Sequence, residues 1–409
     1  MALPKDKYLK YTLFYILRIL MMKYARAPNP FNPRIPSHPD GFIGRENELS
    51  EFSNCLNSTI HSSTMSMAIV GNRGIGKSSF LAKCDYLAKN RNCIVIRFSS
   101  IEGGFESIED LCSYILVQIQ NEVTKRSKLA LLKKSAIDFF KTFNFKISYK
   151  EFGIEVKTKA SQSILQSLFR EKLSEIWKNT SNSCSGIVIM IDEAEVIEKI
   201  PGALMFLREV FSRLGEEKSS YMLVLSGKLA FPQQMSEKFS PLARFFHPLE
   251  LHNFTKQESA LLIRTKLKST KVKADDKTVA KIHEESEGHP YVLTAIAYVL
   301  YENLPEGDYE LLLKHYDAIK PKIGNYLNTD YFGIMYRKLS PTTKLLLKYI
   351  AHQGGKVTFA EICKAVKKPK GTVSPLVTQL VEQGSLVKIE RGTYKIFHNL
   401  YKEYILTTE

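Results

Sequence analysis

The sequence predicts an α/β protein: a parallel sheet with a phosphate-binding loop, then a helical lid, then a C-terminal winged helix. Three stretches of the 409 residues carry that reading. Residues 68–81 (AIVGNRGIGKSSFL) run from an apolar strand through a glycine-rich turn into a helix. Residues 186–193 (GIVIMIDE) are a second apolar run of strand length, ending in two carboxylates. Residues 340–409 space three helical stretches ahead of a β-hairpin. Strands buried on both faces of a parallel sheet read as continuous apolar runs, as the first two stretches do.

Residues 71–78 fit G-x-x-x-x-G-K-[ST], the phosphate-binding loop. Gly71, Gly74 and Gly76 let the backbone wrap tightly and turn its N–H groups inward. The candidate nucleotide contacts are Gly71, Asn72, Arg73, Gly74, Ile75, Gly76, Lys77, Ser78 and Ser79. The helix that starts near Lys77 adds the positive end of its dipole. Lys77 can reach the β- and γ-phosphates, and the Ser78 hydroxyl can ligate Mg²⁺. In a parallel sheet the C-terminal ends of strands face the ligand crevice, which places Asp192 and Glu193 there. Asp192 suits the metal ion, and Glu193 suits polarisation of the attacking water. Glu195 is a stand-in two residues further on.

Composition sets the limits. The chain is 44% hydrophobic and 24% charged, ordinary for globular protein, and long enough for two to three domains. Six scattered cysteines with no C-x-x-C pair argue against a zinc site or a disulfide scaffold and for a reducing, cytoplasmic setting. The net charge of +16 is concentrated in three segments. Residues 1–36 hold seven basic residues against one acidic, 125–160 ten against three, and 340–409 eleven against five. Three such segments favour a polyanionic partner, nucleic acid first and an anionic membrane second.

Residues 1–39 form an arm. Its stretch 11–22 (YTLFYILRILMM) is too short to span a bilayer and reads as an amphipathic helix that docks on the body, on a partner or on a membrane surface. Residues 27–39 contain five prolines and form an extended connector. The core covers 40–252. Residues 93–98 (CIVIRF) are another strand, and 108–123 show helical spacing. Within the basic segment 125–160, residues 146–157 alternate polar and apolar positions, as a β-hairpin does. Residues 221–228 (YMLVLSGK) are a further strand with a polar end. The lid covers 253–325, opened by a capping box at Thr255–Glu258, and the winged helix covers 335–409.

With residues 41–49 (GFIGRENEL) ahead of the phosphate loop, the chain resembles archaeal P-loop ATPases of the AAA+/STAND-like group, related to origin-recognition and replication-initiator ATPases. That resemblance implies ATP or ADP as ligand with Mg²⁺, slow hydrolysis, and an adenine site at Phe42, Ile43 and Arg45. It implies a γ-phosphate sensor at Ser226, with Lys228 second. In residues 240–245 (SPLARF) it implies that Arg244 reaches a neighbour's nucleotide in a homo-oligomer, although one intervening residue of the motif is missing. The initiators place a phosphate-contacting arginine near residues 287–291. Here G-H-P-Y stands instead, like the G-x-P of STAND-type ATPases, so that His289 or Pro290 becomes the contact and the motor reading weakens. It implies too that the basic hairpin contacts DNA. In the winged helix, Lys370, Thr372, Ser374, Thr378 and Gln379 on the third helix and Arg391 on the wing suit duplex DNA. The expected activity is a nucleotide-driven switch that binds or remodels DNA. The alternative is a signalling or defence switch whose basic segments bind protein, RNA or membrane.

Overall fold

A computed structural model describes residues 27–126, 159–228 and 244–408. The amphipathic stretch 11–22, the basic hairpin 146–157 and residues 240–243 ahead of Arg244 lie outside the described residues. By internal contacts the chain divides into two units. Of the described residues, one holds those within Pro36–His252 with Thr378–Gly384; the other holds Ala27–Ile35 with Asn253–Val377 and Ser385–Thr408.

The first unit is built on a sheet of five parallel strands. These are β1 (Ser66–Val70), β2 (Cys93–Ser99), β3 (Gly186–Asp192), β4 (Tyr221–Gly227) and β5 (Phe246–Glu250), in the order β2-β3-β4-β1-β5. Every residue of β1 and β4 is buried, and every residue of β3 except Asp192. The two-residue period of the strand divides the core. Ile187, Ile189 and Ile191 of β3 and Tyr221, Leu223 and Leu225 of β4 pack with helices Ile108–Arg126, Lys159–Thr180 and Ala203–Glu216. Met67, Ile69, Val188, Met190, Met222 and Val224 pack on the other face with helices Glu46–Ile60 and Lys77–Asn90. Asp192 continues the second set, so its side chain is turned toward the helix that follows the phosphate loop.

The second unit begins with the proline-rich connector. Phe31 is buried with its ring edge-on to Tyr301, the Asn29 amide donates to the Tyr298 carbonyl at 3.0 Å, and Arg34 pairs with Asp330 at 2.7 Å. Helix Lys256–Leu267 opens with the capping box of Thr255 and Glu258. Asp275 caps helix Asp276–Ser286, and His289 caps helix Pro290–Glu302, with Pro290 at the first position where no N–H is missed. Helix Leu313–Leu327 runs on through a π turn, Asn328–Phe332, into Gly333–Arg337. The continuity explains why no boundary signal marks residue 325.

Helices Pro341–His352, Phe359–Val366 and Lys370–Glu382 precede the wing strands Leu386–Glu390 and Thr393–Ile396. Two elements of this domain went unread in the sequence: strand Lys356–Thr358, which pairs with Thr393–Ile396, and the closing helix Asn399–Thr407. A three-residue strand carries too little alternation to show on its own.

Candidate nucleotide-binding site and DNA-facing surface

The phosphate loop leaves β1 at Gly71. A Cβ there would lie 2.8 Å from the Ile75 side chain and 3.0 Å from the Leu251 carbonyl oxygen, so only glycine fits. Gly74 and Gly76 take φ of +75° and +98°, the left-handed region. Helix Lys77–Asn90 then begins with Gly76 as its cap. Its first N–H groups have no partner within the helix, and the dipole adds partial positive charge there. Lys77 Nζ donates to the carbonyls of Gly71 at 2.9 Å and Asn72 at 3.0 Å, which holds the ammonium over the loop. Burial draws the Lys77 ammonium below its ordinary proton affinity, and the carboxylates of Asp192, Glu195 and Glu193 oppose that shift.

Ser78 and Asp192, far apart in sequence, meet here. The Ser78 hydroxyl donates to Asp192 Oδ2 at 2.7 Å. A hydroxyl and a carboxylate converging beside a lysine are a donor set for a hard divalent cation bound with phosphate. Asp192 Oδ1 also accepts the N–H of Glu193 at 3.0 Å. Glu193 takes φ of +57°, uncommon for a side chain with a Cβ, and its Oε2 accepts the Ser99 hydroxyl at 2.6 Å. Ser100 donates to the Asp192 carbonyl at 2.9 Å. Ser99 and Ser100 were missed in the sequence. They stand at the end of β2, which gives no motif of its own. Only the parallel register of Ser99 with Asp192 brings them to the carboxylates.

Ser226 lies beside Asp192 on the neighbouring strand, one step beyond the pair Ile191–Leu225. It is fully buried, and its hydroxyl has no hydrogen-bond partner among the described residues. Lys228 is half exposed and lies 3.9 Å from Glu195. Ile75 is 2% exposed with its side chain in the core, so it offers the loop only its backbone. Arg73 is exposed, and the Ser79 hydroxyl accepts the N–H of Ser37 at 3.0 Å. Arg45 is buried in a left-handed conformation. It pairs with Glu48 at 3.1 Å and donates to the Ile75 carbonyl at 3.3 Å, bracing the loop from behind. Phe42 is half-buried against Phe80, with ring centroids 6.1 Å apart, and Ile43 is partly exposed.

Residues 41–225 match the AAA ATPase domain model, and residues 345–389 match the IclR helix-turn-helix domain. This chain carries an AAA ATPase domain and a helix-turn-helix domain. An uncharacterized HTH-type transcriptional regulator of Methanocaldococcus jannaschii is 23% identical over 401 residues, 94% of this chain and 92% of that protein. The Walker-type ATPase of Pyrococcus abyssi superposes with a TM-score of 0.60 at 19% identity, over 92% of this chain and 99% of that one. The ORC2 protein of Aeropyrum pernix, in ADPNP and ADP complexes, gives 0.56 at 12% identity, over 92% and 97%. These two likenesses establish the fold.

In the AAA domain, Arg244 is exposed just ahead of β5. Phe246 pairs with Ser66, the first residue of β1, whereas the phosphate loop leaves the last. Five residue steps of ~3.3 Å therefore put Arg244 more than about 15 Å from Gly71, beyond the reach of its side chain. His289 and Pro290 belong to the other unit. His289 is 2% exposed, its Nδ1 accepts the Val292 N–H, and its ring lies against Tyr331, Phe397 and His398. Pro290 is buried. In the helix-turn-helix domain, Lys370, Thr372, Ser374 and Thr378 are exposed along one helix, Gln379 partly so, and Arg391 is exposed on the wing. Lys367 and Lys368, also exposed, lead into that helix. No helix among the described residues is long and apolar enough to cross a membrane.

Proposed function

We propose that this chain binds ATP at the phosphate loop and uses binding and slow hydrolysis to change its hold on duplex DNA. The observation that carries the reading is the Ser78–Asp192 hydrogen bond of 2.7 Å beside Lys77. It brings the loop and the end of β3 together, which supports reading them as one phosphate site. Mg²⁺ held by Ser78 and Asp192 would neutralise phosphate charge there. Lys77 and the amides of residues 71–79 hold the phosphates, and Phe42 and Ile43 flank the base. Arg45 supports the loop rather than the base, since its guanidinium is committed to Glu48 and Ile75. Glu193 is the base for the attacking water, and Ser226 offers the unpaired hydroxyl that senses the γ-phosphate. The Ser99 hydroxyl supports slow turnover, because at 2.6 Å it occupies Glu193 Oε2, one of the two oxygens that could meet the attacking water.

The distance of Arg244 from its own chain's phosphate loop supports action on a neighbouring copy's nucleotide over action on its own. In that case specific turnover rises with protein concentration, and Arg244→Ala abolishes the rise. Turnover that is independent of concentration would remove the role. Lys370, Thr372, Ser374, Thr378, Gln379 and Arg391 meet the duplex. The similar Methanocaldococcus protein, described as an HTH-type transcriptional regulator, supports a regulatory switch over remodelling of an origin. Its setting is the cytoplasm, which suits six free cysteines.

The deciding experiment measures duplex affinity against salt with ATP, with ADP and without nucleotide. Binding that weakens steeply with salt and differs between nucleotides is expected. Absence of duplex binding in all three conditions would overturn the DNA reading and favour a switch acting on protein or RNA.

A further inference from the structure

The turn between helices Asp276–Ser286 and Pro290–Glu302 is where three parts of the second unit meet. Its carbonyls at 286, 287 and 288 are each taken by a different group. His398 Nε2 donates to Ser286 at 2.9 Å, the Asn253 amide donates to Glu287 at 2.9 Å, and the Phe254 N–H donates to Gly288 at 2.8 Å. Asn253 and Phe254 are the segment that leads into the lid. His398 belongs to the winged helix, between its last strand and its closing helix.

The turn is costly to form. Glu287 and Gly288 both take positive φ, +49° and +69°, and a Cβ on Gly288 would lie 2.1 Å from the Phe254 carbonyl oxygen. A glutamate held in the left-handed region carries strain that its contacts must offset. Its carboxylate does so from the winged helix. Oε1 accepts the Asn399 N–H at 2.7 Å, at the start of helix Asn399–Thr407, and Oε2 lies 3.4 Å from Lys395 Nζ. His398 is fully buried and uses both ring nitrogens, since its Nδ1 accepts the Leu400 N–H at 3.1 Å. The carbonyl of Ser286 requires the proton on Nε2, so the ring is neutral and fixed in one tautomer.

We infer that Glu287 and His398 lock the lid and the winged helix into one body whose internal geometry stays the same in every nucleotide state. The winged helix is then carried by the lid and does not swing on the chain between them. Glu287 and His398 are positioning residues; neither touches nucleotide or DNA.

The test places spin labels at exposed Lys277 in the lid and exposed Lys368 in the winged helix, in the full chain with partly exposed Cys363 replaced by serine. One narrow distance distribution, the same with ATP, with ADP and without nucleotide, is the expected result. Glu287→Ala with His398→Ala should broaden it and remove any difference in duplex affinity between nucleotides, while ATP affinity holds. Should that double variant fail to fold, Glu287→Gln, which keeps the acceptor but drops the charge, should broaden the distribution less than Glu287→Ala. A wild-type distance that moves between nucleotide states overturns the inference, as does a Glu287→Ala distribution as narrow as the wild type's. The distance readout needs no DNA, so failure of the proposed DNA role leaves it decisive.

Discussion

At residue scale the phosphate site gives the sharpest expectations. Glu193→Gln keeps the shape of the side chain but removes its basicity. ATP turnover should fall by about 10²–10⁴-fold with nucleotide affinity retained, read from single-turnover rates and equilibrium binding. An unchanged rate would move the base elsewhere, with Glu195 next. Lys77→Ala removes a charged donor from the phosphates and should weaken ATP binding by roughly 10–100-fold. Ser99→Ala should raise turnover without changing affinity, because it frees Glu193 Oε2. A fall would show that Ser99 orients the carboxylate instead. Residues 71–78 and 192–193 were legible in the sequence because their chemistry tolerates few residue types at that spacing. Ser99 and Ser100 were not, since serine at a strand end is common and only the β2–β3 register gives these two their neighbours. Arg45 sat in a readable motif, yet its contact with the Ile75 carbonyl comes from packing.

At the scale of single elements, the Thr255–Glu258 capping box was legible because its determinants are local. Thr358 and Glu361 form a second one that the sequence analysis did not name. Thr255→Ala should cost about 1 kcal/mol of stability, visible as a lower unfolding midpoint. Gly288→Ala should cost more. Its left-handed backbone alone is worth about 1–3 kcal/mol, and the Phe254 carbonyl leaves no space for the added carbon. Gly76→Ala makes the contrast, because it has a positive φ but open space around it. It should therefore cost the strain alone, with its larger effect on nucleotide binding. Strand Lys356–Thr358 escaped the sequence reading for the opposite reason. Its identity as a strand comes from pairing with Thr393–Ile396, some 35 residues away.

At the scale of the whole molecule the charge distribution and two histidines, His398 buried and His283 partly buried, matter. Lys370→Ala and Arg391→Ala should each weaken duplex binding across sequences and lower the slope of log affinity against log salt by about one. Burial lowers the proton affinity of His398 below its ordinary value of 6.5, with Glu287 and Glu285 opposing and Lys395 assisting. His283 shifts the same way, through burial and Lys256. As the pH falls below about 6.5 the unfolded chain therefore takes up these protons before the folded one does. Stability is full above that pH and declines as the pH drops toward the lowered values. Thermal unfolding followed from pH 8 to pH 5 should show this decline, and His398→Gln should flatten it.

The sequence by itself determined the phosphate loop, the acidic end of β3, the Thr255–Glu258 capping box and the order of three helices and a hairpin in the winged helix. Each is set by residue types within a dozen positions or by an apolar run that permits one kind of burial. The tertiary structure alone decided which strand ends stand beside Asp192, that Arg45 braces the loop, and that His289 and His398 lie within one packed junction. Those facts depend on register and close packing between residues up to about a hundred positions apart, where local pattern holds no information.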